Sequence, residues 1–188
     1  MLRIINLEEI QNLLLRVPAI VEQNEQRNPN FVPTVKKWLI ELETVLKNNR
    51  LPAAANVAAL RGNLISTEMG NIPAGINIKG RLTKRKVQQA TASQSISQIV
   101  EIISSIVQKD VERVAEAQRI TRQLVSIAKI KGLITEVPHG KNFTPILKSI
   151  WTKMSNDQAL AQGVVSVEGL VGPNDALLLL DRTITADK

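Results

Sequence analysis

Apolar residues recur every three or four positions along most of the chain, and the longest such run extends from Arg81 to Lys131. This run holds fifty-one residues without a glycine or a proline. Apolar side chains at this spacing line one face of a helix, and a helix of this length would rise about 75 Å. The pattern therefore predicts one long central helix over about residues 82–131. A break in its Ser-rich part, near Ala92 to Ser97, is the alternative.

The middle of this run, "IVEIISSIV", is apolar around most of the helix circumference. A helix of that kind lies deep in a bundle or between two chains. We therefore assign Ile99, Ile103, Ile106 and Val107 to a core or to a protein–protein interface. The following "KDVERVAEAQRITRQ" is charged outside a narrow apolar seam, which is typical of the exposed half of a bundle or coiled coil.

Shorter helices are predicted before the long one. The first extends from Asn6, as its cap, to about Arg27, and Pro18 should kink it because proline removes one backbone hydrogen bond. The second covers about residues 33–49, and an Ala-rich third begins at Pro52.

The second predicted helix carries an ion pair on the face that we expect to meet water. Glu43 and Lys47 are four residues apart, in the order that favours pairing along a helix. The third helix should end before "GNIPAGINIKG", whose glycines and proline predict a surface loop.

The C-terminal part is less regular in sequence. Thr144 and Pro145 suit the start of a further helix. After it, "NDQALAQ" and "NDALLLLDRTI" suggest two short helices, and "GVVSVEGLVG" between them fits a strand or a helix. We predict an all-α helical bundle over residues 1–154, with shorter helices packed along the long one, and short C-terminal helices over 155–188.

Composition supports the helical class and removes several chemistries. Aromatic residues make up only 2 %, whereas strands usually draw on them. The absence of cysteine excludes disulfides and thiolate sites, and the single His139 is too little for a zinc site. We expect no metal and no cofactor, and we assign no catalytic residue. Acids on the long helix alternate with basic residues, which indicates a solvated, salt-bridged face.

Positive charge is concentrated in one short segment. No acid occurs between Met69 and Val100, while five cations there supply +5 of the net charge of +7. If Thr83 caps the long helix, cations occupy its first turn, where the helix dipole disfavours them and a bound anion would be favoured. The five cations are Lys79, Arg81, Lys84, Arg85 and Lys86.

Three interpretations of this segment stay open. It is a solvated stretch before a helix that begins later, near Val87 or Ser93, or it contacts nucleic acid or another polyanion. In the third interpretation it binds an acidic patch on a protein partner or on a second copy of the chain.

For the whole chain the leading hypothesis is a non-enzymatic assembly protein that packs with a partner, or with itself, through the long helix. Nucleic-acid binding through residues 79–86 is the alternative, and an enzyme with a carboxylate site is a third hypothesis. No small-molecule substrate is evident. The start of the chain reaches two acids by position 9, and no apolar run of about 18 residues occurs, so we expect a cytoplasmic protein.

Overall fold

The structure, a computed structural model, describes residues 1–76, 83–134 and 143–186. These residues form eight helices and no strand, and the all-α prediction with one long central helix is confirmed. The helices are α1 (Ile4–Leu15), α2 (Val17–Glu25), α3 (Phe31–Asn48), α4 (Ala53–Glu68), α5 (Lys84–Ile130), α6 (Phe143–Asn156), α7 (Ala161–Val171) and α8 (Pro173–Ala186).

The long helix α5 is continuous over 47 residues, so the alternative with a break near Ala92 to Ser97 is wrong. Its buried hydroxyl groups are satisfied within the helix itself. The Thr91 hydroxyl donates to the Val87 carbonyl at 2.9 Å, and the Ser95 hydroxyl donates to the Thr91 carbonyl at 2.8 Å. Because these groups find acceptors one turn back, the Ser-rich stretch enters the core without interrupting the helix.

The first predicted helix is two helices. α1 begins at Ile4, so Asn6 lies inside this helix instead of capping it. Arg16 separates α1 from α2. Pro18 stands in the first turn of α2. Proline is accepted there because the backbone N–H that it lacks would have no partner within the helix. The predicted helix is therefore interrupted next to Pro18, and a second helix begins there.

Helices α3 and α4 form an antiparallel pair joined by a tight turn. Arg50 takes a positive φ of 55° after α3, and the Leu51 backbone N–H donates to the Leu46 carbonyl at 2.9 Å. This closes the last turn of α3 and reverses the chain into α4. Trp38 of α3 is fully buried and donates its indole N–H to the Leu13 carbonyl at 2.9 Å, which ties α3 to α1.

The C-terminal segment is helical where the sequence left strand and helix open. "GVVSVEGLVG" forms most of α7, and only Gly172, with a φ of 80°, separates α7 from α8. "NDQALAQ" differs from the expectation because its first residues form a turn. The Asp157 side chain accepts the Ala159 backbone N–H at 3.0 Å, and α7 begins only at Ala161.

The chain forms two compact units. The N-terminal unit comprises Leu2 and Ile4–Gln108, and the C-terminal unit comprises Met1, Arg3 and Lys109–Lys188. The boundary lies within α5, and the division into 1–154 and 155–188 stays a prediction. Each unit has its own apolar core, the first around Trp38 and the second around Met154, both fully buried.

Candidate functional site

Basic residues occupy the first turn of α5. Thr83 caps this helix, since its hydroxyl oxygen accepts the Lys86 backbone N–H at 3.3 Å, and no acid lies in the first turn. The predicted later start of the helix, near Val87 or Ser93, is therefore wrong, whereas a segment that is only solvated stays a prediction. Lys79 and Arg81, the other two predicted anion-binding residues, lie outside the described residues.

The end of α2 lies beside this turn. The Arg85 guanidinium donates to the backbone carbonyl of Arg27 at 3.2 Å. This contact places a second arginine residue beside the basic first turn. About two turns further along α5, the Asn24 side-chain amide donates to the Ser93 hydroxyl at 3.1 Å. Lys84, Arg85 and Lys86 are exposed. Because the free N–H groups of the turn add positive potential to these cations, the arrangement favours an anion.

The four residues predicted for a core or interface have two different environments. Ile99 and Ile103 are fully buried and Val107 nearly so, all within the N-terminal unit. Ile106, in contrast, keeps 36 % of its surface exposed. The chain itself therefore covers three of the four, and only Ile106 retains surface for a partner.

An open groove lies between α4 and α5. Its volume is about 370 Å³, and Leu60 and Ile102 contribute apolar walls. Ile106 follows Ile102 by one helical turn and so extends the same side of α5. The residues that line the groove are Asn56, Ala59, Leu60, Gln98, Glu101 and Ile102.

A second groove, of about 460 Å³, lies between α1 and α3. Arg16 forms an ion pair with Glu41 across it, and Ile40 is exposed beside it. Neither groove was predictable from the sequence pattern, because each depends on how two helices distant in sequence meet. The lining residues are Glu9, Asn12, Leu13, Arg16, Ile40, Glu41, Thr44 and Val45.

Two acids of α5 pair with arginines of the same helix. The Glu116–Arg119 pair is exposed as predicted, whereas the side chains of Asp110 and Arg113 keep only 21 % and 16 % of their surface exposed, so this pair does not lie on a solvated face. Arg113 donates to Asp110 at 2.7 Å, and Arg119 donates to Glu116 at 2.7 Å. The hydrogen bond from Arg119 lowers the pKa of Glu116. In the described part of the chain, no group of three or more acidic or histidine side chains is placed to hold a metal ion.

No single helix among the described residues has the length and hydropathy to cross a membrane; α7 and α8 meet that test only together, across a bend of 115°.

In comparisons with known proteins, no family model, curated protein or solved structure matches the chain.

Proposed function

We propose that the protein is a non-enzymatic assembly protein whose long helix binds a helix of a second chain, either another protein or a second copy. The groove between α4 and α5 is the binding surface. One observation carries the proposal: Ile106, on the long helix, is 36 % exposed and lies one helical turn beyond Ile102 of this groove.

The chemistry of the groove suits a helical ligand. An amphipathic helix docks by placing apolar side chains, spaced by three or four residues, into an apolar channel. Ala59 and Leu60 of α4 and Ile102 of α5 supply apolar surface in this groove. Glu101 and Gln98 at its edge supply polar partners for the rim, which is the usual composition of a protein interface.

The test is the substitution Ile106→Asp, with Ser104→Asp as the matched control on another face of α5. A carboxylate at Ile106 would have to lose its water in the complex, whereas Ser104 is exposed and outside the groove. We expect light scattering to give a mass above the 20.7 kDa of one chain for the wild type and the control. Ile106→Asp should release the second chain, as seen by light scattering or by comparing the proteins that co-purify with each variant. Equal masses and equal co-purifying proteins for all three would overturn the proposal.

The alternative function is polyanion binding at the start of α5. The cap at Thr83 favours it, because it places Lys84, Arg85 and Lys86 in a helical first turn without an acid. Binding of this kind weakens as salt rises, by about one unit of logarithmic slope for each phosphate contact.

The two functions differ in their salt dependence. Lys84→Gln with Lys86→Gln should flatten the slope for a DNA or RNA duplex by about two units. The control, Lys148→Gln with Lys153→Gln, removes two exposed cations of α6 and should leave the slope unchanged. An absence of binding to either duplex at low salt would remove this alternative.

A further inference from the structure

The outer face of α1 exposes several large apolar side chains. Leu15 is 75 % exposed and Ile5 is 53 % exposed, and Ile40 of α3, beside the groove, is 52 % exposed. A third groove, of about 420 Å³, lies on the flank of α1 that carries Leu15, and it is lined by residues of α1, among them Gln11, Asn12 and Leu14. Asn12 contributes to both sites, so an exposed ridge of α1 separates the groove between α1 and α3 from a depression on the surface of α1 itself.

A ridge that lies beside a groove fits another ridge and groove of the same shape. When two such helices lie side by side, the ridge of each enters a channel of the other, which is the ordinary packing of helix pairs. Leu15 projects from the ridge, and the groove between α1 and α3 offers apolar surface from Leu13, Ile40 and Val45. The same face thus contains both a projecting apolar group and a place to receive one.

Two charges of this face, Glu9 and Arg16, are placed to complement each other between two copies. Glu9 is exposed, and Arg16 keeps 46 % of its side-chain surface exposed. The two residues are seven positions apart, about 10 Å along the chain direction of α1. If two copies lie antiparallel, with a two-fold axis beside Asn12, Glu9 of each copy faces Arg16 of the other, and two ion pairs form.

Arg16 has the capacity for this second partner. It already donates to Glu41 within its own chain, and that contact holds the guanidinium at the edge of the groove. A guanidinium has five N–H donors in a planar arrangement, so it is able to serve two carboxylates together. A two-fold dimer requires such a patch, in which residue i meets residue j and residue j meets residue i.

We propose that the α1 face is a homodimer interface, occupied by the same face of a second copy about a two-fold axis beside Asn12. It does not use the groove between α4 and α5, so it goes beyond the proposed function and does not depend on it. One helix of 12 residues and the adjoining side of α3 make an interface of modest area. The dimer should therefore be weak and concentration-dependent.

The experiment exchanges the two charges. Glu9→Arg sets two cations opposite each other at both ends of the interface, and Arg16→Glu sets two carboxylates there. Each variant alone should be monomeric by sedimentation at concentrations where the wild type is a dimer. Mixing the two variants restores an opposite-charge pair at each end, so the mixture should dimerise again, as should the variant with both exchanges.

A further variant separates loss of the interface from damage to the fold. Arg16→Glu also disturbs the pair with Glu41, so Leu15→Lys is used beside it, since it changes only an exposed side chain of the ridge. It should be monomeric while its circular dichroism spectrum and melting curve match the wild type.

Two results would overturn the proposal. One is a wild-type monomer at every concentration; the other is a wild-type dimer that survives both single exchanges. If that surviving dimer is lost in Ile106→Asp, the copies meet at the groove between α4 and α5, and the α1 proposal fails while the proposed function stands. If both single exchanges give monomers and their mixture dimerises, while Ile106→Asp changes neither the mass nor the co-purifying proteins, the α1 proposal stands and the proposed function fails.

Discussion

At the scale of single residues, Glu43 has an environment that the sequence pattern misplaced. Its i, i+4 pair with Lys47 is present, but Glu43 is only 6 % exposed, not on a water-facing side of α3. A second partner of Glu43, which the sequence pattern did not predict, is Arg61 of α4. Its Nε donates to the second carboxylate oxygen of Glu43 at 2.9 Å. Spacing along one helix reveals Lys47, whereas Arg61 comes from the next helix and becomes visible only once α3 and α4 are paired.

Glu43→Gln should therefore destabilise the protein, and by an amount that depends on pH. Hydrogen bonds from Lys47 and then Arg61 lower the pKa of Glu43 from its ordinary value of 4.5. A lowered pKa means that this carboxylate stabilises the fold above about pH 4.5 and that the contribution is lost as pH falls through the folded-state pKa. We expect a loss of about 1–3 kcal/mol in the free energy of unfolding at pH 7.

The measurement is urea unfolding of wild type and variant at neutral and acidic pH. The difference between them should narrow as the carboxyl group of the wild type becomes protonated. Glu68→Gln, which removes an exposed acid paired with Lys36, is the control and should change stability by less than about 0.5 kcal/mol. A difference that stays constant down to acidic pH would show that the charge of Glu43 does not stabilise the fold.

At the scale of elements, the sequence predicted the long helix well because the information is local. A stretch free of glycine and proline, with an apolar seam, predicted bounds of 82–131 for a helix that extends from Lys84 to Ile130. The basic first turn was predictable for the same reason. The grooves beside α5 and α1 were not, since they arise from the approach of helices that are far apart in the sequence.

Within the C-terminal unit, the approach of α7 to α5 also depends on residues far apart in the sequence, and it gives a testable prediction. A Cβ atom at Gly163 would lie 2.7 Å from the Leu124 Cδ2 atom, whereas at Gly169 of the same helix it would meet nothing within 4 Å. Gly169→Ala should therefore stabilise the protein by about 0.5–1 kcal/mol, the usual gain for alanine in a helix. Gly163→Ala should show no gain or a loss of up to about 2 kcal/mol, because overpacking opposes that gain.

Thermal or urea unfolding of both variants measures the difference. The Leu124→Ala background supplies the internal control, because it removes the atoms that the new methyl group would meet. There, Gly163→Ala should no longer cost stability, and the two substitutions should be non-additive. An equal gain from both alanine variants in the wild-type background would show that Leu124 moves aside freely.

At the scale of the whole molecule, two cores share one helix. Ile103, in the N-terminal unit, is fully buried, and Val125, in the C-terminal unit, is 1 % exposed. Both lie on α5, so each core depends on its own portion of the same helix. Helices of this kind are stabilised mainly by the packing of their apolar face rather than by intrinsic propensity. Loss of packing in one unit should therefore remove the helix there and leave the other portion packed.

Hydrogen exchange followed by mass spectrometry tests this expectation in two variants, each of which places an aspartate at a buried position of α5. Ile103→Asp should cost several kcal/mol and remove amide protection from α3 and α4 while α6, α7 and α8 stay protected. Val125→Asp should produce the opposite pattern, and Ser104→Asp, an exposed position of α5, should leave the wild-type pattern. Simultaneous loss of protection in both units from either buried charge would instead mean that the chain unfolds as one cooperative structure. Wild-type protection in Ile103→Asp would contradict the burial of that residue and, with it, the placement of the core along α5.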